Sequence, residues 1–172
     1  MANTYTLIAS NTLSSSAASV TFSAIPNTFT DLVLKMSTRD TATTVIDRAT
    51  RISFNSAGGT PYSQTELQGD GASATSQRVS FQATNIEFGR STAASATSNT
   101  FANIELYIPN YAGSTNKPFS SFSVAETNGT TARIRAVALL FSNTNVISSL
   151  TLTADTAFIA DSSFFLYGIK NS

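Results

Sequence analysis

The chain has 172 residues, enough for one domain with a sizeable buried core. Charged residues make up 12% of it, roughly half the usual share, and ten basic side chains balance ten acidic ones, so no net field draws in nucleic acid or an anionic membrane surface. Histidine and cysteine are both absent, which excludes imidazole bases and ligands, histidine-containing triads, disulfides and thiolate chemistry. Ser and Thr supply roughly 30% of the residues, so solubility rests on neutral hydroxyls, and near-zero net charge favours association. The stretch from Met1 to Ile8 has neither a basic segment nor a long apolar run, so no secretory signal is expected. The longest apolar run, Ala136 to Phe141, is far too short to span a bilayer. A soluble protein made in a cytoplasm is the expectation.

In chain order, Tyr5–Ile8 reads as a first strand, followed by a serine-rich turn from Asn11 to Ser16. Val20, Phe22 and Ala24 share a face until Pro26 breaks the pattern. Asp31–Thr38 alternates clearly, with Leu32, Leu34 and Met36 on one side and Val33, Lys35 and Ser37 on the other. Charge is then concentrated in Arg39, Asp40, Asp47, Arg48 and Arg51. Ile52–Phe54 is a brief strand, Ala57–Tyr62 a turn, and Glu66–Gly71 carries the dipeptide signals of a tight turn. Arg78–Gln82 and Ile86–Phe88 are further strand candidates. The low-complexity patch Ser91–Thr100 contains Ala94-Ser-Ala-Thr-Ser-Asn99, an echo of Ala72-Ser-Ala-Thr-Ser-Gln77, and both copies read as flexible surface loops.

Downstream, Ile104, Leu106 and Ile108 alternate with Asn103, Glu105 and Tyr107. Phe122 and Val124 alternate with Ser121 and Ser123, and Arg133–Phe141 begins alternating and ends wholly apolar. Leu150 and Leu152 alternate with Ser149, Thr151 and Thr153, and Phe164–Ile169 is apolar on both faces, as a strand in the middle of a covered sheet would be. No window sustains a 3.6-residue period. The spacing of short strands and turns predicts an all-β fold over residues 1–172, a single-domain antiparallel β-sandwich of jelly-roll type.

Chemistry has little to draw on. No serine sits in a Gly-x-Ser-x-Gly elbow, and no Walker or Gly-x-Gly-x-x-Gly run occurs. The carboxylates close in sequence are Asp40 with Asp47, Glu66 with Asp70, and Asp155 with Asp161. Asp40 and Asp47 are expected to pair with Arg39, Arg48 or Arg51, and the others to cap turns. Gly69-Asp70-Gly71 lacks the ligand alternation of a calcium loop and reads as a hairpin turn. Arg133 and Arg135, with Arg90 or Arg78, suit cross-strand ion pairs or a subunit contact better than nucleic acid. The seventeen Phe and Tyr residues are expected mostly in the core, while Tyr107 and Tyr111 are candidates for exposure. No catalytic, cofactor-binding or metal-binding residue is assigned.

Val146-Ile-Ser-Ser-Leu-Thr-Leu-Thr153 followed by Ser162-Ser-Phe-Phe-Leu-Tyr-Gly-Ile-Lys170 resembles the C-terminal ending of small virion proteins of tailed bacteriophages. Phe29–Arg39 and Arg51–Asn55 are similar to that family's early strands. The resemblance implies a non-enzymatic, trimeric phage structural protein with a jelly-roll-like fold. Such proteins serve as capsid decoration (cement) proteins, head fibres or tail-fibre tips. One departure is Ala160-Asp-Ser-Ser163, where the family often carries a glycine. The expectation is a decoration protein on the outer surface of the virion head, bound to the major capsid protein and to itself, without cofactor, metal, nucleic acid or membrane. The alternative is a tail-fibre or head-fibre tip that binds a host glycan through Tyr107, Tyr111 and Glu105. A carbohydrate-active enzyme using one carboxylate pair is a third, more distant reading.

Overall fold

The computed structural model describes residues 4–59, 61–82, 84–129 and 132–170. Its elements are β1 (Tyr5–Thr12), β2 (Ala17–Phe22), β3 (Asp31–Asp40), β4 (Asp47–Phe54), β5 (Tyr62–Gly69) and β6 (Ala74–Gln82). They continue as β7 (Ile86–Ala93), β8 (Ala102–Ile108), β9 (Lys117–Ala125), β10 (Arg133–Phe141), β11 (Leu150–Phe158) and β12 (Ser163–Ile169). No helix occurs among the described residues.

Two sheets face each other. The long one runs β1-β12-β3-β8-β9-β10-β5-β6 with every neighbour antiparallel. The short one runs β2-β11-β4-β7. The last residues of β3 join them: Arg39 and Asp40 pair in parallel with Thr92 and Ala93, and Asp40 also meets Phe158 of β11. The quartets β1-β12-β3-β8 and β2-β11-β4-β7 are the interleaved sheets of a jelly roll. Two hairpins are added to that frame. β5–β6 is inserted between β4 and β7, β9–β10 between β8 and β11, and they join through β10–β5 to lengthen the first sheet.

Alternation accounts for the core strands. In β8, Ile104, Leu106 and Ile108 are fully buried while Asn103, Glu105 and Tyr107 face out. Leu34 and Met36 of β3, Phe54 of β4 and Phe164 and Leu166 of β12 fill the space between the sheets. Phe54 packs edge-on against Phe119 and Phe141 at centroid distances of 5.3 and 5.2 Å, with Tyr62 stacked on Phe141 at 5.1 Å. Phe158 and Phe164 meet edge-to-face at 5.0 Å.

β12 lies between β1 and β3, the central position its sequence calls for. Its inner face is sealed, but its outer residues Phe165 and Tyr167 are only half-buried, so among the described residues no full second layer covers them. The turn before β12 contains Asp161 at φ 68°, the left-handed region that glycine favours. Aspartate tolerates that region better than most residues, so the turn forms without a glycine.

Several strands exceed their sequence-based bounds. β4 begins at Asp47 and β7 runs to Ala93, because their charged and hydroxyl residues are paired inside. β5 continues to Gly69, and the tight turn follows it at Asp70–Ser73. The segment 74–77, read as loop, is strand: β6 is held to β5 without interruption from Ala74 to Ser80. The loop at 94–100 is not loose either. Arg39 is buried and its guanidinium donates to the carbonyls of Ala94, Ala96, Thr97 and Thr100 at 2.7–3.0 Å, so the low-complexity segment winds around a cation. Burial lowers the guanidinium's pKa.

Candidate functional site

Three neighbouring strands of the added hairpins reverse the usual polarity. In β9, Ser121 and Ser123 are buried while Phe122 is 50% exposed. In β10, Arg135 is buried and Ile134 is 49% exposed. In β5, Gln64 and Glu66 are buried and Leu67 is 58% exposed. The same faces bury Tyr62 of β5, Phe119 of β9 and Val137, Leu139 and Phe141 of β10, so the reversal is confined to one end of these strands, and a shift of one residue would reverse all of these side chains together.

At the reversed end a charge chain lies under the added strands and holds the same register. Arg135 of β10 donates to the carboxylates of Glu66 on β5 and Glu87 on β7. Glu87 is 2.9 Å from Nε of Arg90, Arg90 is 3.3 Å from Asp47 on β4, and Asp47 is 2.5 Å from Nε of Arg133. Glu66 also accepts from Gln77 at 2.6 Å and Gln64 at 3.1 Å. Carboxylates and guanidiniums thus alternate across β5, β10, β7 and β4 with no net charge. Burial pushes Arg135 down to about 10 and Glu87 up. Ser121 adds an uncharged tie, donating to the Phe88 carbonyl at 2.6 Å. Removing either member of such a pair leaves a buried charge alone, so a slipped register is costly.

The consequence appears outside. Among the described residues, seven large apolar side chains are substantially exposed, and six of them (Tyr5, Leu7, Leu67, Tyr107, Phe122 and Ile134) lie on the outer face of the long sheet. They are in register. One row crosses the sheet as Ser76, Leu67, Ala136, Phe122, Glu105, Lys35, Phe165 and Ser10. The next runs Arg78, Thr65, Ala138, Ser120, Tyr107, Val33, Tyr167 and Leu7. Small side chains at Ala136, Ala138 and Ser120 between tall ones at Leu67, Phe122 and Tyr107 leave a trough of about 450 Å³. An apolar hollow of about 300 Å³ adjoins it at Leu67, Phe122 and Ile134.

Two pairs of polar groups on this face are tied to each other. Lys35 and Glu105 form a 2.6 Å ion pair, and the hydrogen bond to Glu105 raises the Lys35 pKa. The Tyr107 hydroxyl donates to Asp31 at 2.8 Å, which raises its own pKa. Tyr5 and Tyr167 meet edge-on at 6.2 Å.

The structure therefore brings Glu105 and Tyr107 together but not Tyr111. Tyr111 is fully buried in the core and its hydroxyl donates to the Pro26 carbonyl, because the chain turns inward after Pro109. Phe122, Leu67 and Ile134 were not singled out by sequence. Their only signal was the neighbouring run of buried-type positions occupied by Ser, Glu and Arg.

The carboxylate pairs are separately engaged. Asp40 accepts from the backbone of Ala42 and Thr156 at 2.8 and 3.3 Å, while Asp47 binds Arg90 and Arg133 rather than Arg39, Arg48 or Arg51. Arg48 and Arg51 instead meet Asp155. Glu66 is buried beneath the sheet, while Asp70 caps the exposed turn through the Ala72 and Ser73 amides. Asp161 occupies the exposed turn before β12. Arg133, Arg135 and Arg90 are neutralised in the charge chain, as cross-strand ion pairing predicts. Among the described residues no cluster of three or more metal-ligating side chains is placed to hold an ion.

No family model matches the chain, and no curated protein matches it. Among solved structures it is similar to the carbohydrate-binding module of a Ruminococcus gnavus intramolecular trans-sialidase bound to α2,6-sialyllactose. There the identity is 9% and the TM-score 0.31, over 97% of this chain and 95% of that one. A leech intramolecular trans-sialidase, complexed with 2,7-anhydro-Neu5Ac, superposes at 9% identity and TM-score 0.27, over 94% of this chain and 26% of that one. At these values neither likeness bears on the fold or on a ligand.

Proposed function

We propose that this chain is a non-enzymatic structural protein of a tailed-phage virion, a capsid decoration (cement) protein that bridges capsomers by docking the outer face of its long sheet on the major capsid protein. The observation that carries this reading is the reversed polarity of β5, β9 and β10. Charge is placed under the sheet, with its desolvation cost, while Leu67, Phe122 and Ile134 are left outside. A face that exposes Leu67, Phe122 and Ile134 on a continuously paired sheet is suited to burial against another protein, at roughly 25 cal/mol per Å² of apolar area. Many copies acting together convert modest single contacts into a durable shell. The phage origin and the three-fold self-association come from the terminal resemblance, and synthesis in the host cytoplasm followed by assembly on the head surface completes the reading.

A fibre-tip domain that binds a host glycan is the second reading, favoured by Glu105 and Tyr107 sharing one trough. It is the weaker one because their polar atoms are engaged with Lys35 and Asp31 and the trough floor is alanine. Copy number separates the two. Densitometry of purified particles gives hundreds of copies for a decoration protein; a dozen copies rejects that role and favours the fibre tip.

A further inference from the structure

Among the described residues β6 is the free edge of the long sheet: it pairs with β5 and with no other strand there. We propose that β6 is a self-association edge that pairs antiparallel with β6 of a second copy, about a two-fold axis at Gln77.

An open edge offers a row of backbone donors and acceptors, and proteins ordinarily blunt it with charge, proline, bulges or a covering loop. From Ala74 to Ser80 none of these is present apart from one charge, Arg78. Residues 74–78 and Ser80 are exposed, so side chains on both faces are uncovered. Pairing to β5 is regular from Ala74 to Ser80, with the irregularity only beyond it. The opposite edge, β1, is broken by a bulge between Leu7 and Ala9.

The sequence of β6 fits itself in one register. With Gln77 at the centre, Arg78 lies opposite the mate's Ser76, Thr75 opposite Val79, and Ala74 opposite Ser80. No like charges face each other, and a β-branched pair is formed. A centre at Arg78 would oppose two guanidiniums. The Gln77 axis stands perpendicular to the sheet, so both outer faces point the same way and the row through Leu67 and Phe122 continues into the second copy. This contact is isologous and separate from any three-fold one. It does not depend on the docking proposal.

Ser76 is the test position, because it is exposed and faces Arg78 of the mate. Sedimentation equilibrium of the full chain is expected to give two chains per particle, or six where a trimer also forms. S76K opposes a second cation to Arg78 and is expected to weaken the contact roughly two- to thirtyfold, whereas S76E strengthens it over a similar range. A wild-type mass of one or three chains at every concentration overturns the proposal. So does an equal response of S76K and S76E.

Discussion

The ring of Phe29 occupies the space that a side chain at position 168 would need: a Cβ on Gly168 would fall 2.3 Å from Phe29 Cγ. The glycine near the end of the chain is thus a packing requirement, letting the loop before β3 close over the last strand. Gly168→Ala is expected to cost about 1–3 kcal/mol through overpacking. Gly58→Ala, with nothing within 4 Å of its added Cβ, is the matched control and is expected to be near neutral. Urea unfolding of both variants checks this, and equal midpoints would contradict it.

Arg39 is expected to set the order of the 94–100 loop. Arg39→Met removes the donor to four carbonyls and should cost about 3 kcal/mol or more. Arg39→Lys should recover only part, since an ammonium cannot reproduce the guanidinium fork. Amide exchange or proteolysis across residues 94–100 reports this directly. Unchanged protection in the Met variant would count against it.

Tyr62 links stability to alkaline pH. Its hydroxyl oxygen accepts from the Phe54 amide at 2.7 Å, and burial pushes its pKa from 10.0 up to about 12. The folded value exceeds the unfolded one, so the associated stability is complete below pH 10 and is lost as pH rises toward 12. The loss amounts to about 2–3 kcal/mol. Stability measured from pH 9 to about 12 should fall less in Tyr62→Phe than in the wild type. Parallel curves would show that Tyr62 ionises as freely as an exposed tyrosine.

The jelly-roll frame was legible because its strands obey the ordinary rule. Leu32, Leu34 and Met36, Ile104, Leu106 and Ile108, and Leu150 and Leu152 alternate with polar residues, and each set is buried as its period requires. β6 was half missed because Ala74–Gln77 has small neutral side chains with no alternation, and its order comes from backbone pairing to β5. The outer face was missed for a different reason. Phe122 and Ile134 stand at positions that local pattern assigns to the core, Leu67 falls within a stretch that reads as a tight turn, and partners distant in sequence decide otherwise. Arg135 meets Glu66 across 69 positions and Glu87 across 48. No local window contains those pairs. Tyr111 failed in the opposite direction, as a tyrosine beyond a strand end that turns back into the core.

The central claim is that the outer face of the long sheet docks on the capsid. The most direct measurement adds purified wild-type protein and Phe122→Glu to heads lacking this protein and counts the copies retained. Phe122 is half-exposed and outside the core, so the variant should fold with the wild-type circular dichroism spectrum. The account predicts that wild type saturates the heads while the variant loses about tenfold or more in affinity, as expected when a carboxylate must be buried at an apolar contact. A folded Phe122→Glu protein that decorates heads as fully as wild type would contradict it.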